Sequence, residues 1–233
     1  MITSIPNYPV VFASCDAEYF LQHAPAFCSS CSENGFDVHL HIINANDRVF
    51  YLLYDISKKC KTRVTFTRSV IDTSKFTEEQ ERAYYACSRF LVLPEILKVA
   101  KKVLTLDIDC LVMKPFTFPQ QNSGYFPRDY EHQPELKVAA GALYLTESAI
   151  GICHRIIEEL NYLELRWFAD QIAISRAFAD DVSSFRFDNK FMDWEFSDNS
   201  CIWTGKGDRK YNNEKYLEKK NYYNALLSLK NSI

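Results

Sequence analysis

Residues 103–112, VLTLDIDCLV, decide how the chain is read: an apolar run ends in Asp107 and Asp109, one residue apart, and apolar residues resume at Cys110. A short continuous apolar run of this kind fits a strand buried on both faces of a sheet. Carboxylates at its end must be met by a cation or by hydrogen bonds, because an uncompensated buried charge is costly. Two aspartates at i and i+2 in an extended or turning segment converge on one hard cation: oxygen ligands suit Mg²⁺ or Mn²⁺, and such ions keep open positions for phosphate. The plainer reading is that one carboxylate caps a following turn while the other is solvated.

Upstream of this stretch, strands expected at 9–14, 38–43 and 63–67 alternate with helices at 17–33, 49–59 and 78–98, Pro94 marking a point where the last helix kinks or splits. The fourth strand, 102–106, delivers the aspartates. Such alternation implies a mostly parallel sheet covered on both faces, with ligands bound beyond the carboxyl ends of the strands, where Asp107 and Asp109 fall. The second half is less regular, with strands at 124–126, 138–145 and 200–203 and helices at 147–160 and 166–179. No repeat, low-complexity tract or Gly/Ser/Pro linker divides the chain, so one α/β domain is expected.

With 233 residues, 47% of them hydrophobic and 24% charged, the chain has globular composition and enough length to bury a large core. A formal charge of −3 supplies no global basic field, which excludes bulk nucleic-acid binding. The eight cysteines fall at irregular intervals, several inside apolar runs, as reduced thiols do rather than a disulfide framework. The start, MITSIPNYPVVF, lacks a basic n-region, and no run reaches the roughly 18 apolar residues of a membrane span, so a soluble cytoplasmic protein is expected.

Six segments in order, YPVVFASCDAEYF, ACSRFLVLPEIL, KKVLTLDIDCLVMKPF, VAAGALYLTES, WFADQIAISRAF and IWTGKGDRK, carry a resemblance that covers most of the chain. It resembles the nucleotide-sugar glycosyltransferases of the GT-A fold, and among them family 8, the galactosyl- and glucosyltransferase group. The resemblance implies a mostly parallel central sheet flanked by helices, with a smaller second-half sheet. Within one domain, it implies a nucleotide-binding half over about 1–115, a donor-sugar and acceptor half over about 116–210, and a helical tail after that. Ala13, Ser14 and Asp16 are then placed near base and ribose, Arg89 facing the donor, and Asp107 and Asp109 on Mn²⁺ or Mg²⁺. Asp170 and Gln171 lie beside the transferred sugar as the catalytic pair, and Gly205, Lys206 and Lys210 close over the diphosphate. The implied donor is a UDP-hexose, and the acceptor a hydroxyl on a glycan, lipid-linked glycan or protein.

Two positions depart from the family pattern: Ala139 stands at its asparagine and Ile202 at its metal-binding histidine. An isoleucine ligates no metal, so either two aspartates, diphosphate and water hold the ion, or a third ligand comes from elsewhere, or metal dependence is weaker. A retained anomeric configuration is implied; an inverting reaction needs a base, for which Asp193 or Glu195 serves. A second resemblance is to haloacid-dehalogenase-type phosphatases, whose hhhDxD makes Asp107 a nucleophile and Asp109 a general acid, with Asp180-Asp181 imitating the later metal-holding motif. That motif opens the first strand of its fold, whereas three apparent strands come first here. A non-catalytic nucleotide-sugar-binding module is a third reading, kept open by Ile202.

Other features have plain readings. Arg89 in a helix is ordinarily an ion-pair partner, Asp170 an acid favoured at a helix start, and the 205–210 loop a solvated turn. Cys28 and Cys31 fall on an apolar helix face and His39 and His41 on the strand that packs it, which argues against a zinc or redox site. The basic and aromatic tail over 211–223 reads as an amphipathic helix packed on the domain, with peripheral contact to an anionic membrane as the alternative.

Overall fold

The computed structural model describes residues 5–128, 135–179 and 183–229. From the N-terminus, β1 (Val10–Asp16), α1 (Ala17–Glu33), β2 (Val38–Ile43), α2 (Asp47–Lys59), β3 (Val64–Ser69), α3 (Glu78–Ala100) and β4 (Lys102–Leu106) alternate as expected. Next come β5 (Cys110–Val112), β6 (Ser123–Pro127), β7 (Val138–Thr146), α4 (Ile150–Tyr162) and α5 (Ala169–Ala177). The chain continues through β8 (Phe185–Arg186), β9 (Met192–Asp193), β10 (Ile202–Thr204), α6 (Arg209–Asn212) and α7 (Glu214–Leu229). Asp180 and Asp181, the acidic pair of the phosphatase reading, lie outside the described residues.

The large sheet runs β3-β2-β1-β4-β7-β6-β8, and the small one β5-β10-β9. Strands β3, β2, β1 and β4 are parallel, and β7 is antiparallel to both of its neighbours. The chain steps outward from β1 to β3, then returns to place β4 on the other side of β1. The crevice between the carboxyl ends of β1 and β4 is therefore a topological switch point, where α/β sheets bind ligands.

Period-two alternation along β1 explains its unbroken hydrophobicity. Val11, Ala13 and Cys15 pack with Phe20, Phe27 and Leu40 on one face, while Val10 and Phe12 pack with Phe90, Leu97 and Leu143 on the other. Local signals begin the helices: Asp16 Oδ1 accepts the Glu18 and Tyr19 amides at 2.8 and 2.9 Å, and Thr77 with Gln80 forms a capping box ahead of α3. Pro94 does not split α3, which continues to Ala100 with Leu93, Pro94, Ile96 and Leu97 buried against the sheet. Tertiary packing of that face outweighs the one hydrogen bond a proline removes.

The tail is a helix docked on the domain. Tyr216 and Tyr223 of α7 pack with Leu111, Phe196 and Trp203, so one face is core while Tyr222 stays exposed. Among the described residues no helix is long and apolar enough to cross a membrane.

His39 and His41 are structural, as their strand position implied. They form a ladder with the β3 hydroxyls: His39 Nδ1 lies 2.8 Å from Thr65 Oγ1, and His41 Nδ1 2.9 Å from Thr67 Oγ1. Burial holds both rings neutral, pushing His39 down to about 3 and His41 to about 4. The unfolded chain takes up these protons as pH falls through about 6.5, and the folded chain does not, so their stabilisation is intact above that pH and fades between about pH 6.5 and 4. Urea midpoints measured across this window are expected to fall steadily, and His39→Gln with His41→Gln to flatten the slope. An unchanged slope in the double variant would assign the acid loss to other groups.

Candidate active site

Asp107 and Asp109 leave β4 where the switch-point crevice opens. Asp107 is held by two neighbours through three contacts: its amide donates to Gly141 O at 3.3 Å, its Oδ1 meets Arg89 Nη1 at 2.5 Å, and its Oδ2 lies against the Gly141 backbone. A Cβ at Gly141 would stand 2.8 Å from that Oδ2, so glycine at this point of β7 is what lets the carboxylate fit.

Arg89 reaches this corner from the middle of α3 and is only 6% exposed. Its Nε donates to Ala86 O at 3.1 Å and its Nη1 to Ala140 O at 3.4 Å. Burial works against its charge, but Asp107 and Asp170 outweigh it and hold the guanidinium above its ordinary range. The ion-pair reading of Arg89 therefore holds. Beside it, Ser14 Oγ of β1 lies 2.9 Å from Ser88 Oγ of α3.

The N-terminal end of α5 supplies the second pair. Phe168, just before it, has φ 70°, a left-handed conformation uncommon for an aromatic residue and costing on the order of 1 kcal/mol. This turn starts α5 three residues later than expected. Asp170 is buried and accepts the Gln171 amide at 2.8 Å. Burial raises its carboxyl, with Arg89 partly opposing. Gln171 Oε1 accepts from Arg128 Nη1, which orients the amide.

The small sheet brings in the third element. Because β10 pairs antiparallel with β5, Thr204 opposite Cys110, the chain after β10 emerges beside Asp109. Gly205 is pressed so closely onto this corner that a Cβ there would meet Lys210 Cβ at 2.8 Å and Tyr216 Oη at 3.1 Å. Lys210 Nζ, on the short α6, then lies 2.8 Å from Asp109 Oδ2, which also accepts the Tyr19 hydroxyl at 2.5 Å. Tyr216 donates to the Asp109 carbonyl at 2.6 Å. Burial alone would raise the Asp109 carboxyl, but Lys210 and the Tyr19 hydroxyl outweigh it and hold it below the carboxylate range. Lys206 lies 4.3 Å over the Trp194 ring, its amine lowered to about 8 by burial and by Arg128 and Arg209.

The expected residues thus gather unequally. Ser14, Arg89, Asp107, Asp109, Asp170, Gln171, Gly205, Lys206 and Lys210 come from six elements and their loops to one end of the sheet. Ala13 is fully buried in β1 and its side chain faces core, while Asp16 spends Oδ1 on capping α1. Asp193 is not free to act as a base: its Oδ1 accepts the Glu195 and Phe196 amides at 3.1 and 2.7 Å, and Oδ2 takes the Ser200 hydroxyl. Glu195 pairs with Arg209 at 3.3 Å. Sequence reading missed Tyr19, Arg128 and Tyr216. Tyr19 carried a signal, since the first turn of α1 follows β1 at the same crevice, whereas Arg128 and Tyr216 arrive through contacts between distant segments.

A divalent cation does not fit this arrangement. Both carboxylates already have cations of the chain, and Ile202 is fully buried in β10 opposite Val112. Among the described residues no group of three His, Cys, Asp or Glu converges. Asp109 Oδ1 lacks a hydrogen-bond partner but is closed to solvent, so an incoming ion cannot reach it unless the chain moves.

No protein-family profile matches the chain, nor does any curated protein sequence. Solved structures do match in fold. The apo bifunctional glycosyltransferase WbbM superposes with a TM-score of 0.68 at 10% identity over 97% of this chain, which spans about half of WbbM, 51%. The galactosyltransferase LgtC, solved with donor and acceptor sugar analogs, gives 0.62 at 12% identity over 95% of both chains. Glycosyltransferase GlyE of Streptococcus pneumoniae TIGR4 gives 0.62 at 16% identity over 97% of this chain and 63% of its own. The architecture is the GT-A glycosyltransferase fold that the sequence resemblance implied. With Asp107 after the fourth strand rather than the first, the phosphatase reading loses its structural basis.

Arg89 is the cation that Asp107 and Asp170 share, so Arg89→Met is expected to cost about 3–5 kcal/mol at pH 7. Because burial already raises the Asp170 carboxyl, its proton returns early on acidification and relieves the unpaired charge; the loss should shrink toward pH 4. Equal losses in urea midpoint at the two pH values would count against this pairing.

Proposed function

We propose that the chain transfers a hexosyl group from a nucleoside diphosphate sugar, a UDP-sugar, to a hydroxyl acceptor. One observation carries the reading: Arg89 and Arg128 hold the Asp107 and Asp170-Gln171 carboxylate and amide groups at the switch point of a GT-A sheet, facing a loop rich in cations. A sugar diphosphate needs both halves of that arrangement, hydrogen-bonding groups for its hydroxyls and positive charge for its phosphates.

In the reaction the bond between the anomeric carbon and the diphosphate oxygen breaks, and its electron pair leaves with the diphosphate. The acceptor oxygen bonds to the anomeric carbon, and its proton passes to the departing phosphate oxygen, which retains the configuration and requires no separate base. Lys206 and Lys210 stabilise the negative charge developing on the leaving group, the electrostatic contribution that is commonly the largest in such transfers. Gln171, its amide oriented by Arg128, lies beside the oxocarbenium-like centre, and Asp170 positions sugar hydroxyls. A second solved structure of LgtC is that of a glutamine-to-glutamate active-site mutant, which supports this role for Gln171. The acceptor is a hydroxyl on a glycan, lipid-linked glycan or protein.

Slow hydrolysis of UDP-hexoses in the absence of acceptor is the first measurement. Gln171→Ala and Asp170→Asn are expected to lower its kcat roughly 100-fold with the fold intact by circular dichroism. NMR of the released sugar should show the donor's anomeric configuration. Phosphate release from simple phosphomonoesters without donor hydrolysis would instead restore the phosphatase reading.

A further inference from the structure

The disagreement between the acidic pair and a metal site has a positive counterpart. Each carboxylate that an ion would need is matched by a cation of the chain: buried Arg89 at 2.5 Å from Asp107, and half-buried Lys210 at 2.8 Å from Asp109, with side-chain exposures of 7% and 16%. Lys210 is fixed there by more than attraction. Its ammonium also donates to the Tyr19 hydroxyl and lies 5.0 Å from the centre of that ring, while Gly205, packed on Lys210 Cβ, sets where its backbone runs. Tyr216 closes the other side through the Asp109 carbonyl.

A dication on Asp109 Oδ2 would stand within a few ångströms of this ammonium in a poorly solvated corner. Two like charges so placed cannot both remain, so either the ion or Lys210 must leave. The side chain that would complete the ion's shell is Ile202, which packs in the core with Val112 and Met192. Lys206 adds positive charge close enough to feel Asp107, as well as Arg128 and Arg209. Arg89 and Lys210 match Asp107 and Asp109, and Lys206 brings a further positive charge to the corner, which suits a diphosphate.

We propose that Lys210 is the resident cation of the Asp107–Asp109 corner and that, with Lys206, it neutralises the donor diphosphate in place of a divalent metal. The metal part stands on the geometry alone; the diphosphate part rests on the transferase reading above. Binding and turnover then proceed in the presence of a chelator, with strong dependence on ionic strength because the neutralising groups are side chains.

Two measurements separate these parts. Titration of Mn²⁺ into the nucleotide-free full chain, followed by the EPR signal of the free ion, is expected to show no stoichiometric binding at millimolar metal. One bound equivalent would overturn the substitution while leaving the transferase reading standing. Calorimetric titration with uridine, guanosine and adenosine diphosphates, in EDTA and in Mn²⁺, is expected to give a dissociation constant for the cognate nucleotide that agrees within about two-fold between the two conditions. Lys210→Met is expected to weaken it about ten-fold or more in EDTA. Should that variant fail to fold because Asp109 is left unpaired, Lys210→Met with Asp109→Asn removes both charges and keeps the comparison. A gain of ten-fold or more on adding Mn²⁺ to the unmodified protein would overturn the proposal. If none of the three diphosphates binds in either condition, the nucleotide-donor reading fails, and with it the diphosphate role of Lys210.

Discussion

The ion pair between buried Arg89 and half-buried Asp107 is the constraint on which the site depends. A guanidinium that is 6% exposed cannot be tolerated without anionic partners, and α3 can sit at its depth on β1 and β4 only because β4 ends in Asp107 and α5 begins with Asp170. The pair therefore joins three elements that are far apart in sequence. Its contribution lies less in net stability than in register, because sliding α3 by one turn would bury a cation against apolar residues.

Sheet topology converts that pairing into a site. Parallel β1 and β4 bring the first turn of α1 and the two aspartates to one edge. The antiparallel return of β7 lays Gly141 beside Asp107, and the antiparallel pairing of β10 on β5 lays the loop after Thr204 beside Asp109. Hydrophobic burial holds these strands in place, and polar chemistry appears only where they end. Two glycines mark the closest approaches, Gly141 under a carboxylate and Gly205 under Lys210, and both mark points where a side chain would push the charged groups apart.

Most of the frame was legible because local signals agreed. Helix α1 and strands β2 and β4 match the bounds read from apolar periodicity and caps, and the parallel half follows from alternation alone. The reading faltered where tertiary contacts decide. The three-residue β5 and two-residue β8 and β9 are too short to carry a period, and α5 starts late because Phe168 takes a left-handed turn that no propensity favours. In the site, the residue types at Arg89, Asp107, Asp109, Asp170 and Gln171 were readable as a constellation, but their pairing was not. Which cation meets which carboxylate depends on Arg128 and Tyr216 arriving from segments whose sequence gives no hint of it, and Asp193, plausible as a base, proves to be consumed by backbone amides.

The substitutions at Ile202 and Lys210 belong to one solution. A buried aspartate with its carboxyl held ionised needs a positive neighbour whether or not a ligand is bound. With an isoleucine packed into the core at position 202, the chain must supply that charge itself, and Lys210 does so from a loop that Gly205 allows to pass close by. A tethered ammonium differs from a bound ion in one physical respect: its local concentration does not depend on the medium, so Asp109 is never left uncompensated. It is also a point charge with fewer binding positions for phosphate oxygens, and the extra cation Lys206 beside the corner is what such a replacement requires.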